Sequence, residues 1–539
     1  MNTELNKLSA LQKSNCTCAW DQKKEDTIMN FILALVPIVW LIVAMSVIKL
    51  PGYKACLIAL VIAALEGCFI FGLTPVETLT AALEGILNAL WPIVLVIIAA
   101  LFTYNMTLET GAMEDIKRML GSLSNDNRIL MLIIAWGFGN FMEGMAGFGT
   151  AVAIPAGMLV GVGFDPVLAV VACLVINSTP TVFGSVGVPA TTLAGIAGLD
   201  ILTLTRYAAT IQFVLTFLSP FLAVIIIGGG LKAMKGMFPF TLIASLSFVI
   251  PQFLTAAFIG AELPNILGSI ISMVIMVAAA KFLPHQVDPE FLITSSGKKE
   301  APMTLQKGLT AWAPFIFTFL FLLLTSNLVP VIHDPLAAVK SSVQVYAGEN
   351  PGTLNFFWVN TPGIIIFIAS FCGSLIQKAS LATMWKVLCR TVKTNVKTIL
   401  TVCSVLAVAK IMGYSGMISA IAAVLVQVTG SFFPLFSPLI GVIGGFVTGS
   451  GTSTAVLFGS LQAQTAQQIG SDPAWLCAAN EMGGGVGKML CPQSIAIGCA
   501  AVGIVGSESK ILGKTFIYCL FYAVLGGLIC FFFPILGLV

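Results

Sequence analysis

From residue 28 to the C-terminus, apolar runs of about 17–25 residues alternate with short polar stretches, the length a helix needs to cross a bilayer. The pattern predicts spans at 30–49, 55–73, 88–108, 203–227, 238–259, 266–283, 308–328, 358–376 and 511–537. Four more segments, 129–163, 166–199, 432–470 and 473–506, are apolar but punctuated by Gly, Pro, Ser, Thr and Asn. The short alternating segments of a transmembrane barrel are missing, which argues against one. Leu381, Met384, Trp385, Leu388 and Val392 recur at helical spacing, with Lys386, Arg390, Lys393 and Lys397 on the other faces. That predicts a helix lying on a membrane surface, the cytoplasmic one by its charge. Lys117, Arg118 and Arg128 place loop 112–128 on the same side.

The interrupted segments repeat. Phe141-Met142-Glu143-Gly144 matches Phe446-Val447-Thr448-Gly449, and Gly163-Phe164-Asp165-Pro166 matches Gly470-Ser471-Asp472-Pro473. Asn177 with Pro189 twelve places on matches Asn480 with Pro492; Gly111 matches Gly416. The offsets of 303 to 307 residues predict two related halves with repeat cores 76–200 and 381–505. The expected organisation is a polar tail 1–28, a membrane half 29–330, a polar loop 331–357 and a second membrane half 358–539.

Composition narrows the class. The 539 residues are 58% hydrophobic and 9% charged, with a mean hydropathy of +1.01, against roughly 25% charged residues in soluble domains. The fold class expected is an all-α integral membrane protein with about 12 or more spans, carrying broken helices or re-entrant hairpins. A net charge of +3, spread along loops, gives no reason to expect a nucleic-acid partner. The thirteen cysteines fall mostly inside apolar runs and form no CxxC, so they read as small hydrophobes. Cys16 and Cys18 lie in the tail; His285 and His333, the two histidines, lie in loops and argue against a metal centre. The tail lacks the apolar core of a cleavable signal.

Paired broken helices point to a secondary transporter. Lipid tolerates no unpaired backbone amide, so irregular backbone survives only inside protein or along a cavity. Broken ends also present N–H groups that favour an anion. Four breaks are expected: Gly144 to Thr150, through Gly147 and Gly149; Asn177-Ser178-Thr179-Pro180 with Gly184, Gly187 and Pro189; Thr448 to Thr454, through Ser450, Thr452 and Ser453; and Asn480 through Gly483–Lys488 to Gln493 and Ser494. For any one glycine, close helix packing is the plainer explanation.

A carboxylate inside a span is costly and marks an ion or proton route, so Glu143 is the proton-coupling candidate; the alternative is a cap for the broken helix. Lys488 is the natural partner of an anionic substrate, or else a helix-end lysine reaching the surface. Arg206 is a weaker ligand candidate and Lys410 an anchor or ligand; Glu66 could act as a second relay, and Glu481 could pair with Lys488. Gly483–Met489 resembles a phosphate loop but lacks the first glycine and the final Ser/Thr, and no GxGxxG occurs, so an ion gradient rather than ATP is the expected energy source.

At these residues the chain resembles the lactate permease family, from about Asn30 to the C-terminus. The resemblance rests on FMEGMAGFG at 141–149, N-S-T-P-x-x-F-G-x-x-G-x-P at 177–189, TGS at 448–450 and G-K-M-x-x-P-Q-S-I-A-I at 487–497. It implies proton-coupled transport of L-lactate, D-lactate or glycolate across a bacterial cytoplasmic membrane. It also implies kinship with ion-transporter-type carriers, which have inverted repeats, unwound helices and an elevator motion. The chain departs from the family pattern at Ala151 (usually Pro), Gly451 (usually an acid), Thr454-Ala455 (usually Ser-Asn) and Glu481 (usually Thr or Ser). The acid missing at 451 and gained at 481 suggests relocation within one cavity, or a changed substrate.

The expectation is a multi-pass symporter of a small 2-hydroxymonocarboxylate, not an enzyme. It needs no cofactor beyond a proton gradient, with the lipid bilayer and the carboxylate as partners and self-association open. A sodium-coupled carrier of another carboxylate is the alternative. An anion channel fits less well, because isolated charges at matched breaks do not make a continuous pore. A membrane-embedded acid–base enzyme would need chemistry that only Glu143, Glu481 and Lys488 could supply.

Overall fold

A computed structural model describes residues 29–538, apart from 45, 46, 49, 122, 125, 148, 283–290, 292–303, 327, 350, 505 and 506. The tail with Cys16 and Cys18, and His285, lie outside the described residues. Ten helices among those residues are long and apolar enough to cross a membrane; Met29–Ala44, Thr150–Gly161, Pro166–Ser178 and Pro362–Ile376 are shorter apolar helices. The surface they present is apolar, with Phe69, Leu79, Phe258 and Phe282 all largely exposed, which suits hydrocarbon and not water. The chain is a helical, multi-pass membrane protein.

Most spans form where hydropathy places them, with three differences. The run 88–108 is part of a longer element, Pro75–Glu109. Thr74 and Glu77 start it with reciprocal capping bonds. Trp91 leaves helical geometry where Pro92, lacking an N–H, cannot continue the ladder. Two helices absent from the expected spans, Val396–Tyr414 and Met417–Thr429, lie in the second half. The first carries Lys397 and Lys410, and Lys410 becomes tolerable because Glu84 meets it at 2.7 Å. The polar loop 331–357 holds a short helix, Pro330–Ala338, and an antiparallel hairpin, Lys340–Gln344 with Thr353–Phe357, so the fold is not helical throughout.

The surface helix forms as Leu381–Thr394, with Met384, Val387 and Thr391 turned inward and Leu381 and Trp385 exposed. Arg128 is buried, bonds Asp126 at 2.8 Å and donates to the carbonyls of Ala233 and Lys235, so it ties segments together.

Pro473–Lys488 is enclosed from Ala474 onward, which places it at the core and away from lipid. Its partner is Phe433–Thr448, and glycines set their separation. A Cβ on Gly441 would strike the Asn480 carbonyl, one on Gly445 the Gly484 carbonyl, and one on Gly487 the Val442 carbonyl. Small residues allow this close approach. Gly483–Gly487 are therefore packing glycines in a continuous helix, and within the expected stretch 480–494 the break itself is confined to 489–491.

Candidate functional site at four helix breaks

The remaining breaks fall where glycine and proline predict them. Asn140–Met145 ends, and Thr150–Gly161 begins, across Gly147 and Gly149, both with positive φ (57° and 85°). Pro166–Ser178 passes into a tight turn at Pro180–Phe183; Ser185, Val186 and Gly187 then all take left-handed backbone, at φ 46°, 57° and 72°. Left-handed geometry is rare for a β-branched residue such as Val186, so this segment is strained. Phe433–Thr448 yields to Gly451–Ile469 across Gly449, at φ 65°.

The four breaks come together. Ser185 Oγ donates to the carbonyl of Ala146, joining the second to the first. A Cβ on Gly485 would strike the Ser178 carbonyl, which brings the fourth segment against the second. Gly451, opening the helix after the third break, has Thr181 and Pro189 of the second segment within 3.4 Å of an added Cβ. A Cβ on Gly449 would meet Cys491 Sγ at 2.7 Å, so the third and fourth also touch.

At this meeting point sits one ion pair. Glu143, 2% exposed, accepts from Lys488 Nζ at 2.8 Å on one oxygen and from Asn177 Nδ2 at 2.8 Å on the other. The first, second and fourth segments thus each contribute one group. Gly184 leaves room for the carboxylate, since a Cβ there would lie 2.7 Å from Oε1. Removing one partner from such a buried pair costs about 3–5 kcal/mol, because the other charge stays behind.

A second carboxylate lies close by without a partner. Glu481 is 1% exposed, and neither oxygen has a hydrogen bond among the described residues. The expected pairing with Lys488 does not occur; Lys488 turns to Glu143 instead. A Cβ on Gly451 would lie 3.2 Å from Glu481 Oε1, so the acid at 481 occupies the space that a side chain at 451 would claim. Asn140, one turn before Glu143, is also buried, with its whole amide unpaired among the described residues. Asn140 and Thr181 were not candidates from sequence; their spacing from Glu143 and Asn177 was the available signal.

The other candidates divide by what occupies them. Thr150 Oγ1 and Ser178 Oγ donate to local carbonyls, of Gly147 and Val175, while Thr179 meets Ser219 at 3.3 Å. Thr448 accepts from the Ser450 amide and Ser450 Oγ from the Ser453 amide, so these residues shape the third break. Thr452, Ser453 and Ser494 are buried beside the breaks. Asn480 accepts from Gln462 at 3.4 Å and keeps an unpaired amide nitrogen. Gln493 is exposed, its amide oxygen 3.8 Å from the Cβ position of Gly449. Arg206 stands apart: it is exposed, 5.6 Å from the Tyr207 ring, on the turn after the Asp200 cap. Glu66 is buried in another helix with one unpaired oxygen, so the breaks do not gather it in.

Comparison with known proteins finds relatives over nearly the whole chain. The L-lactate permease family matches residues 30–537. The L-lactate permease of Streptococcus iniae is 41% identical, over 84% of this chain and 94% of that protein. The glycolate permease GlcA of Escherichia coli (strain K12) is 34% identical, over 93% and 95%, and the L-lactate permease of Bacillus subtilis (strain 168) is 33% identical, over 94% and 96%. Among solved structures, Neisseria gonorrhoeae MtrF is similar in fold, with a TM-score of 0.50 at 14% identity, over 91% of this chain and 97% of that one.

Proposed function

Because the chain belongs to the L-lactate permease family, and is thus a membrane transporter and not an enzyme, we propose that it carries lactate, glycolate or a close 2-hydroxymonocarboxylate with one proton across a bacterial cytoplasmic membrane. The observation that carries this reading is the Glu143–Lys488 pair at the convergence of the breaks.

The pair supplies a coupling mechanism by charge count. When empty, Glu143 and Lys488 neutralise each other. A proton on Glu143 releases Lys488, whose ammonium then binds the substrate carboxylate. The loaded site holds a neutral acid, one ammonium and one carboxylate, so it is again neutral. With the proton alone the site carries one excess positive charge, and with substrate alone one excess negative charge. Uncompensated charge inside a membrane protein is costly, so only the empty and fully loaded forms reorient easily. One proton moves per carboxylate, and no net charge crosses. Asn177 keeps the Glu143 side chain in place through the exchange, and the hydroxyl-bearing residues Ser450, Thr452, Ser453 and Ser494 give the substrate hydroxyl its partners.

The sodium-coupled reading draws on a different residue. The two unpaired oxygens of Glu481, beside broken backbone, are the kind of ligands a cation would take. Purified protein in liposomes separates the two. Labelled lactate or glycolate should accumulate when the outside is made acidic, with no need for sodium, and should show saturable counterflow. Uptake that follows sodium and ignores pH would replace the proton reading, and absence of counterflow would overturn the carrier.

A further inference from the structure

A second acid–lysine pair lies away from the breaks. Lys410 on Val396–Tyr414 meets Glu84 on Pro75–Asn88 at 2.7 Å, and the Tyr414 hydroxyl donates to both Glu84 oxygens at 3.1 and 2.9 Å. The Gly352 amide donates to Tyr414, and Tyr346 stacks on the Tyr414 ring at 3.7 Å, so the loop before the second hairpin strand covers the pair. The two charges are not equally enclosed. The Glu84 side chain is fully buried, while Lys410 is 23% exposed.

What Lys410 faces is a cavity of about 240 Å³, lined also by Asn88, Tyr414, Ser460 and Gln464. That is several times the roughly 30 Å³ share of one water in the liquid. An ammonium has three N–H donors, and Glu84, already served by Tyr414, does not use them all. A pair that merely tied two helices together would need neither the opening nor a polar wall. Ser419 donates to the Gln464 carbonyl oxygen, leaving its amide nitrogen as the group offered to the cavity.

The same elements reach the breaks. Gly451–Ile469 starts at the third break and carries Ser453, Ser460 and Gln464 at positions i, i+7 and i+11, which share one helix face. The eleven residues from Ser453 to Gln464 span about 16 Å. Gly184–Ala197, from the second break, brings Ile196 to the cavity wall.

We propose that this cavity is a second binding site for small monocarboxylates, a vestibule in which Lys410, Asn88, Ser460 and Gln464 hold the anion before it moves to the breaks. The identity of the occupant rests on the carrier reading above; the anion preference of the cavity does not.

The test uses full-length Ser460→Cys protein in liposomes, with modification at residue 460 read by mass spectrometry so that native cysteines do not confuse it. A sulfonate-bearing methanethiosulfonate should react about tenfold faster than its trimethylammonium counterpart, and lactate should slow the reaction. Adding Glu84→Gln and Lys410→Gln together, which removes both charges, should abolish that preference. Gln464→Leu, which leaves the pair intact, should raise the KM for lactate several-fold more than it lowers the maximal rate. Equal rates for the two reagents with no protection, or an unchanged KM in Gln464→Leu, would overturn the vestibule even if lactate uptake were normal. Anion preference at residue 460 with protection by acetate, in protein that carries no lactate, would support the site and refute the substrate reading instead.

Discussion

Glu143 and Lys488 face each other across 345 residues of chain, and the proposed exchange gives each a separable role. Glu143→Gln removes the exchangeable proton but leaves Lys488 free for the anion. This variant should retain lactate–lactate exchange while losing accumulation driven by a pH gradient, measured in liposomes with tracer on either side. Lys488→Gln should be worse: it removes the anion's partner and strands the Glu143 charge. Its kcat/KM should fall at least 100-fold, and its thermal midpoint should drop, since breaking a buried pair costs about 3–5 kcal/mol. Glu481 makes a different prediction. Its carboxylate lies where a side chain at 451 would point, so Gly451→Asp combined with Glu481→Ser should restore much of the uptake lost in Glu481→Ser alone. No rescue in the double variant would separate the two positions functionally.

At the level of the element, the breaks were legible because their causes are local. Glycine runs and prolines in apolar segments force departures from the helix, and the first three lie within a few residues of their predicted positions. The fourth was drawn too broadly, over 480–494 instead of 489–491, because a glycine run has two uses. Gly483–Gly487 serve helix approach, and nothing in the run itself distinguishes packing from unwinding; the facing carbonyls of Pro438 and Val442 decide it. The same distinction is testable. Gly487→Ala should destabilise the fold by about 1–3 kcal/mol through overpacking, seen as a lower thermal midpoint. Gly184→Ala should act on the site, pushing the Glu143 carboxylate away from Lys488 and reducing transport more than it reduces stability. Equal losses in both variants would mean that the two glycines do the same job.

Over the whole molecule, long-range pairing was the part least visible in the sequence. Lys410 read as an anchor, and Glu84 drew no attention, because their contact joins helices more than 300 residues apart. The partners of Arg128 were hidden in the same way: a basic residue in a short loop gives no sign that Asp126 and the 233–235 carbonyls enclose it. The coarse architecture needed no such knowledge, since span length and apolar content set it. The charge account is likewise a property of the assembled molecule: neutral when empty and neutral when fully loaded. It is tested most directly by titrating lactate into the purified protein in weak buffer and following protons with a pH indicator. About one proton should be taken up per lactate bound, and none in Glu143→Gln. Lactate binding without proton uptake, or uptake that persists unchanged in Glu143→Gln, would contradict the exchange at Glu143 and Lys488.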